Sequence, residues 1–269
     1  MRSATARTVR AIPTLLRIGL AETVAYRAEF IVWILTTTMP LVMLGLWTTV
    51  ADEGPFQAYR SEDFVAYYLA MLIVRNLTGS WVAWQVSEEI RLGTMSMRLL
   101  RPLHPMVAFA TSHIAAIPFR GLIAIPVAVA LLVSSGASAL THDPAQLALL
   151  IPSIALGWII GFACLFALGC LAFLVTQTSA IGNIYFTLFG ILSGYLLPLD
   201  LLPGWISRVA SWTPFPSMLG TPVRLLVHPM ARGEALELLA IQGAWAVGAI
   251  ALALTAWRVG LRRYEAVGA

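Results

Sequence analysis

The spacing of apolar residues constrains this chain more than any other feature. Six mostly apolar runs of about 17–29 residues follow one another along its 269 residues. A helix of roughly 20 residues is needed to cross the hydrocarbon core of a bilayer. Only 11% of the residues are charged, against roughly 25% in a soluble domain, so most of the surface must face lipid. We therefore predict an all-α integral membrane protein with six transmembrane helices.

The six predicted spans and their flanking segments form one membrane domain. The spans cover approximately residues 30–50, 64–86, 106–133, 147–175, 181–197 and 236–257. We assign residues 1–28 to an N-terminal cytoplasmic or interfacial helix, residues 29–260 to the six-span bundle and residues 261–269 to a cytoplasmic tail.

The arginines predict the orientation of the bundle. Eleven of them share a side with both ends of the chain and four lie on the opposite side. Because basic residues accumulate on the cytoplasmic side of membrane proteins, we place both termini in the cytoplasm. Within residues 5–27, arginines such as Arg10 and Arg17 accompany apolar residues such as Leu16 and Val24. This pattern predicts a helix lying in the membrane interface; the alternative is a cytoplasmic lead-in with no special role.

The connection between the fifth and sixth predicted spans is apolar but rich in proline. Its two apolar segments, of about 8–10 residues each, are too short to cross a bilayer. We predict short re-entrant helices that dip into the outer leaflet and pack against protein, because irregular backbone is tolerated there only in protein or beside a cavity. The alternative is a simple external loop.

Two arginines, Arg75 and Arg120, lie near the middle of the second and third predicted spans, roughly 20 Å from the outer ends at 1.5 Å per residue. An arginine at the bilayer centre costs at least about 2.5–3.5 kcal/mol, and the acidic residues all lie in loops or near an interface. One hypothesis is that these arginines, with Asn76, line a transport cavity. The alternative is a structural bond to backbone carbonyls or to a partner subunit.

A polar segment follows the second predicted span. It mixes charged and apolar residues, is interrupted at Gly93 and ends before two prolines. It is too short to be a domain and too apolar to be a solvated loop, so we predict a helix that docks a soluble partner; a plain interfacial helix is the alternative. The residues assigned to docking are Glu88, Glu89, Arg91, Gly93, Leu99, Leu100 and Arg101.

The residue types argue against an enzyme. All 17 basic residues are arginines, so the chain lacks the lysine that a P-loop requires. The four histidines are scattered without metal-ligand spacing, and we expect no metal or cofactor in this chain. An ATP-driven process would need another polypeptide to bind ATP and Mg²⁺.

Three segments resemble the ABC-2 type transporter permeases. The G-T-(x)n-L-L-x-x-P pattern that follows the second span in that family is similar to the segment EIRLGTMSMRLLRPLHP. LSGYLLPLDLLPGWISRVASWTPF resembles its exit from the fifth span, and GLRRYEAVGA looks like the C-terminus of a subgroup of about 260–270 residues. The resemblance extends over essentially the whole chain.

The resemblance implies a permease subunit of an ATP-binding cassette exporter in the cell membrane. Such a subunit has an N-terminal elbow helix, pairs with a second permease as a homodimer or heterodimer, and moves hydrophobic or amphipathic cargo outward. Separate ATPase subunits bind ATP and Mg²⁺ and contact the coupling helix, here roughly residues 88–101. The re-entrant segments form an outer gate that includes Tyr195, Leu197, Trp205 and Trp212. The competing functions are an ATPase-independent secondary transporter or channel, and a membrane scaffold.

Overall fold

The computed structural model describes residues 4–25, 38–52, 54–57, 59–175 and 178–264, with backbone only for residues 4–10 and 123. Within these ranges the fold is all-helical, with a single isolated β-bridge between Phe56 and Tyr59. The first part of the first predicted span, before residue 38, lies outside the described residues.

The described part of the chain contains 13 α-helices. The first seven are α1 (Ala4–Ala25), α2 (Met39–Asp52), α3 (Ser61–Thr78), α4 (Val82–Arg91), α5 (Met95–Leu99), α6 (Pro105–Ala115) and α7 (Ile117–Val133). The others are α8 (Pro144–Cys170), α9 (Ser179–Leu192), α10 (Gly204–Ser211), α11 (Phe215–Met218), α12 (Gly220–Val227) and α13 (Arg232–Leu261). Short 3₁₀ turns lie at Ser135–Ala139, Leu171–Phe173 and Leu199–Leu201.

Two of these helices are long and apolar enough to cross a membrane. They are α8 extended to Phe173, with a mean hydropathy of 2.4, and α13, with 1.8. The two pack along each other. Helices α6 and α7 together make a third candidate, which is bent by 40° between Leu122 and Ala124. Pro126 accounts for the bend, because its ring clashes with the carbonyl four residues earlier, at Leu122.

Three predicted spans are not continuous helices in the described part of the chain, and the predictions were wrong in this respect; the third span, residues 106–133, is the bent pair α6–α7. The second predicted span, residues 64–86, is divided between α3 and α4 by an extended residue, Gly79, with ψ 145°. The fifth, residues 181–197, ends as a helix at Leu192. There the chain turns through Gly194, whose φ of +83° favours glycine. The Gly194 carbonyl accepts a hydrogen bond of 2.7 Å from the Tyr67 hydroxyl, which fixes this turn against α3.

The N-terminal helix α1 lies along α6. A Cβ atom at Gly19 would lie only 2.8 Å from the Ala115 side chain, so glycine allows the two helices to approach closely. Leucine and valine side chains of α1, such as Leu20 and Val24, stay exposed. The helix therefore has one face on the protein and an apolar face outside it.

Candidate functional site

The break between α3 and α4 is the centre of the candidate site. The last turn of α3 stays hydrogen-bonded, because the Gly79 amide donates to the Arg75 carbonyl at 3.0 Å and the Thr78 hydroxyl donates to the Val74 carbonyl at 2.8 Å. The Ser80 hydroxyl then accepts the Val82 amide at 3.3 Å, at the start of α4. The extended backbone between the two helices leaves the Gly79 carbonyl to be satisfied by a side chain.

Arg120 of α7 supplies that side chain. It is fully buried, with 0% exposure, and its Nη1 donates a hydrogen bond to the Gly79 carbonyl. Its guanidinium carbon lies 4.8 Å from the centre of the Trp81 ring, which is a cation–π contact. Arg120 does not border the nearby cleft, so its observed contacts correspond to the structural alternative rather than to a cavity.

His113 of α6 closes the same cluster. Its Nδ1 lies 3.5 Å from the Ser80 hydroxyl and its Nε2 lies 2.9 Å from the Gln85 side-chain oxygen. The ring centres of His113 and Trp81 are 4.6 Å apart. Sequence reasoning missed this contact set. The available signal was the spacing of seven residues between His113 and Arg120, which is two helical turns.

Arg75 has different surroundings. It is half-buried on α3, and its guanidinium carbon lies 5.4 Å from the ring centre of Phe189 and 5.9 Å from that of Tyr195. The Tyr195 hydroxyl is within hydrogen-bonding reach of the guanidinium. Among the described residues no acidic side chain lies within 4.0 Å of Arg75, and its buried Nε has no hydrogen-bond partner there.

Asn76 does not join Arg75 in the cleft. It is 1% exposed, and its side-chain nitrogen donates to the Leu72 carbonyl at 2.8 Å within α3. Its side-chain oxygen is buried without a partner in the described part of the chain. Adjacent residues on a helix point about 100° apart, which separates Asn76 from the surface that Arg75 borders.

A narrow cleft of about 20 Å³ lies beside Arg75, enough for roughly one water molecule. Its walls come from α3, α8, α9 and the α11–α12 segment. The lining residues are Arg75, Thr78, Ser80, Gly157, Gly161, Leu165, Tyr185, Phe186, Phe189, Met218 and Leu219.

Two glycines of α8 line this cleft in different ways. A Cβ atom at Gly157 would lie 2.6 Å from the Met218 carbonyl oxygen, so the backbone of α11 packs directly on α8 there. A Cβ atom at Gly161, one turn further along, would meet nothing within 4 Å. The cleft is therefore closed by backbone at one glycine and open at the other.

The segment that carries α11 and α12 is anchored deep between the two longest helices. The Gln242 side chain of α13 donates to the Ser217 carbonyl at 2.8 Å and accepts from the Ser153 hydroxyl of α8 at 2.8 Å. Gly157 is 13 residues from the start of α8, about 20 Å, and Gln242 is 10 residues from the start of α13, about 15 Å. Ser217 and Met218 therefore contact both helices well away from their N-terminal ends.

The predicted outer-gate residues fall into two groups. Tyr195 lies beside Arg75, and Leu197 is half-buried in the turn that follows α9. The Tyr68 hydroxyl donates to the Leu196 carbonyl at 2.9 Å, which holds this turn on α3. Trp205 and Trp212 lie at the two ends of α10 and are exposed.

The predicted docking segment consists of α4, a turn and α5. Gly93 makes the turn with φ +73°, a conformation that favours glycine. The Arg98 guanidinium binds both carboxylate oxygens of Glu89, at 2.7 Å for its Nε, and lies 4.1 Å from the Phe109 ring centre. This pair fixes α5 against α4 and against α6.

The outer surface of this segment combines charged and apolar side chains. Leu99 is half-buried and packs on the core, whereas Leu100 is 80% exposed. Between residues 88 and 101 the exposed residues are Glu88, Arg91, Leu92, Thr94, Met97, Leu100 and Arg101, and Trp84 of α4 is exposed as well. Of the seven residues predicted to dock a partner, Glu89, Gly93 and Leu99 therefore support the segment from inside, and the other four are on its surface.

The C-terminal end of α13 holds the same turn. The Tyr264 hydroxyl donates to the Gly93 carbonyl at 3.1 Å, and the Tyr264 ring lies 5.4 Å from that of Phe173. His104, just before α6, contacts Trp257 of α13 with ring centres 5.7 Å apart. Partial burial and the Arg258 charge both lower the His104 pKa, which favours the neutral ring that accepts the Met106 amide at 3.2 Å.

A family model described as ABC-2 family transporter protein matches residues 31–268. No curated protein matches the chain with statistical significance.

Proposed function

The chain belongs to the ABC-2 transporter family, and from this membership we propose that it is the permease subunit of an ATP-binding cassette exporter. Family membership makes it a membrane permease of an ABC-type transport system. The match over residues 31–268 carries the proposal, because it includes all six predicted spans apart from residue 30, where the first span begins. The exporter function, the cargo and the partner ATPase are the parts that experiment must test.

We propose six spans with both termini in the cytoplasm of the cell. In this arrangement α2, α3–α4, α6–α7, α8, α9 and α13 each belong to one span. The broken pair α3–α4 can be accommodated in a bilayer because Arg120 satisfies the Gly79 carbonyl at the break. The exposed apolar face of α1 supports an elbow helix lying in the membrane interface.

Short re-entrant helices close the outer side in this proposal. The contacts of Ser217 and Met218 with α8 and α13, about 15–20 Å from the ends of those helices, support a segment that enters the outer leaflet and returns. The exposed Trp205 and Trp212 suit the membrane interface, where tryptophan is enriched. Tyr195 and Leu197 then form the inner part of the outer gate.

The exposed surface of α4 and α5 is the proposed contact with the ATPase, which binds ATP and Mg²⁺. Arg91, Leu100 and Arg101 give this surface an apolar centre with charges around it, as in many protein interfaces. Because Tyr264, three residues after the end of α13, hydrogen-bonds to Gly93, a movement of this segment acts on the C-terminal end of that helix. Helix α13 in turn binds the re-entrant segment through Gln242, which gives a physical connection from the ATPase side to the outer gate.

Pairing with a second permease completes the cargo pathway. Helix α9 presents exposed apolar residues such as Ile184 and Leu188, and packs mainly against the short helices α10 and α11. A second copy or a different permease would cover this face. An apolar pathway suits hydrophobic or amphipathic cargo that leaves the cytoplasm or the inner leaflet.

The test is to purify the tagged permease from its native membranes and measure bound ATPase activity. The proposal predicts a P-loop ATPase in the eluate and ATP-dependent transport after reconstitution. The substitution Leu100→Ser removes an exposed leucine and should lower the amount of ATPase that copurifies at least tenfold. Leu236→Ser, at an exposed leucine near the other end of α13, is the matched control and should leave it unchanged.

Other outcomes would overturn the proposal. Transport that persists in proteoliposomes without the ATPase would identify a secondary transporter or channel. A purified complex with neither ATPase activity nor transport would identify a scaffold. If Leu100→Ser and wild type copurify with equal amounts of ATPase, the ATPase does not dock on α4 and α5.

A further inference from the structure

The cleft beside Arg75 contains a cation that is only partly satisfied by its neighbours. Its Nε is buried and has no partner among the described residues, and no acidic group of those residues lies within 4.0 Å. The aromatic rings of Phe189 and Tyr195 provide cation–π stabilisation. The Tyr195 hydroxyl reaches the guanidinium, but the buried Nε still has no acceptor among the described residues. A carboxylate or phosphate oxygen is the kind of acceptor that a guanidinium N–H binds most strongly.

The walls of the cleft combine polar and apolar side chains, as the binding of an amphiphile requires. Thr78 and Ser80 are polar residues that border the cleft together with Arg75. Phe186 borders it as well and is 49% exposed, on the same helix as the exposed Ile184. An acidic head group beside Arg75 would therefore lead directly to an apolar chain lying along α9.

The cleft has one direction in which it can accept a larger group. Gly161 leaves open space where other residues would place a side chain. Opposite it, α9 packs mainly against two short helices and makes few contacts with the long ones. A small outward movement of α9 would widen a cleft that now has room for roughly one water molecule.

We propose that this cleft binds the acidic head group of a monoanionic amphiphile, with Arg75 as the ligand for the anion, and that this amphiphile is the cargo. A single negative charge is favoured because Arg75 is the cation that borders the cleft, whereas Arg120 is turned to the Gly79 carbonyl. The cargo assignment depends on the proposed exporter function; the binding site does not.

The binding test uses the purified complex in nanodiscs of phosphatidylcholine, with radiolabelled dodecanoate as the probe and dodecanol as its uncharged counterpart. Wild type should bind dodecanoate at least tenfold more tightly than dodecanol. Arg75→Gln should lower dodecanoate affinity at least tenfold and leave dodecanol binding unchanged, and Arg75→Lys should retain part of it.

A steric variant tests the same site without changing charge. Gly161→Leu should fill the open space and lower dodecanoate binding at least tenfold. Gly248→Leu, at a glycine of α13 that also has open space around it, is the matched control and should bind as wild type. The proposed site is overturned if wild type and Arg75→Gln bind dodecanoate with equal affinity. It is also overturned if Gly248→Leu lowers dodecanoate binding as much as Gly161→Leu does.

A transport measurement separates the cargo from a resident membrane lipid. ATP-driven efflux of dodecanoate from proteoliposomes, lost in Arg75→Gln, supports the cargo assignment. Binding without efflux, with phosphatidylglycerol as an effective competitor, overturns that assignment and identifies a lipid site. Absence of any ATPase in the wild-type complex contradicts the exporter function, whereas the dodecanoate titration still decides the binding site.

Discussion

Arg120 and Arg75 occupy similar depths in the predicted bundle but are held by different groups. Arg120 is fully buried, donates to the Gly79 carbonyl and stacks on Trp81. Arg75 is half-buried, faces Phe189 and Tyr195, and borders a cleft. In the first region an arginine completes a broken helix, and in the second an arginine lies between aromatic rings and a cleft.

This difference shows how burial alone fails to identify a functional cation. A backbone carbonyl at a helix break requires a donor, because an unsatisfied buried polar group costs about 1–3 kcal/mol. Arg120 meets that requirement through its contact with the Gly79 carbonyl. No such requirement is visible at Arg75, whose neighbours are aromatic rings rather than an unsatisfied carbonyl.

The largest expected effect on stability is that of Arg120→Met. The Gly79 carbonyl would lose its donor and Trp81 would lose its cation, so we expect about 3 kcal/mol of destabilisation from these two losses. Unfolding of the purified protein in mixed micelles with increasing sodium dodecyl sulfate measures this change. Arg120→Lys keeps a hydrogen-bond donor and should lose less unfolding free energy. If Arg120→Met leaves the stability unchanged, the two arginines do not differ in the way proposed.

The packing on α8 gives the next largest effect. In Gly157→Ala the new Cβ would lie 2.6 Å from the Met218 carbonyl oxygen, and the forced movement of α11 should cost about 2 kcal/mol. In Gly161→Ala the Cβ enters open space, so stability should be unchanged or slightly higher, since alanine favours a helix. The same micelle titration compares the two variants. Equal losses would show that the cleft beside Arg75 is packed as tightly as its surroundings.

Trp81→Leu tests the Arg120 region alone. Loss of the cation–π contact and of the ring contact with His113 should destabilise the protein by about 1 kcal/mol. In the background of Arg120→Met the additional loss should be smaller, because the two side chains interact. Additive losses in this double-mutant cycle would contradict a direct Trp81–Arg120 interaction.

Hydropathy predicted an all-helical membrane protein, but it did not separate these two regions. The apolar run that contains Arg75 continues past Gly79, and no proline marks the break. The run of the fifth predicted span likewise continues past Leu192, where a glycine with positive φ ends the helix. The positions of Arg75 and Arg120 were visible in the sequence. Their partners depend on long-range contacts of Gly79 with α7 and of Phe189 with α3, which local pattern does not encode.

The smallest expected effect on stability is that of Arg75→Gln. Loss of the contacts with two aromatic rings should cost some stability, but removal of a buried charge from a low-dielectric site compensates for it. We therefore expect a change within about 0.5 kcal/mol by micelle titration. A loss as large as that of Arg120→Met would instead make Arg75 a second structural cation. In that case the Arg75 Nε, which has no partner among the described residues, would need one from another subunit, and the cleft would be part of the permease interface.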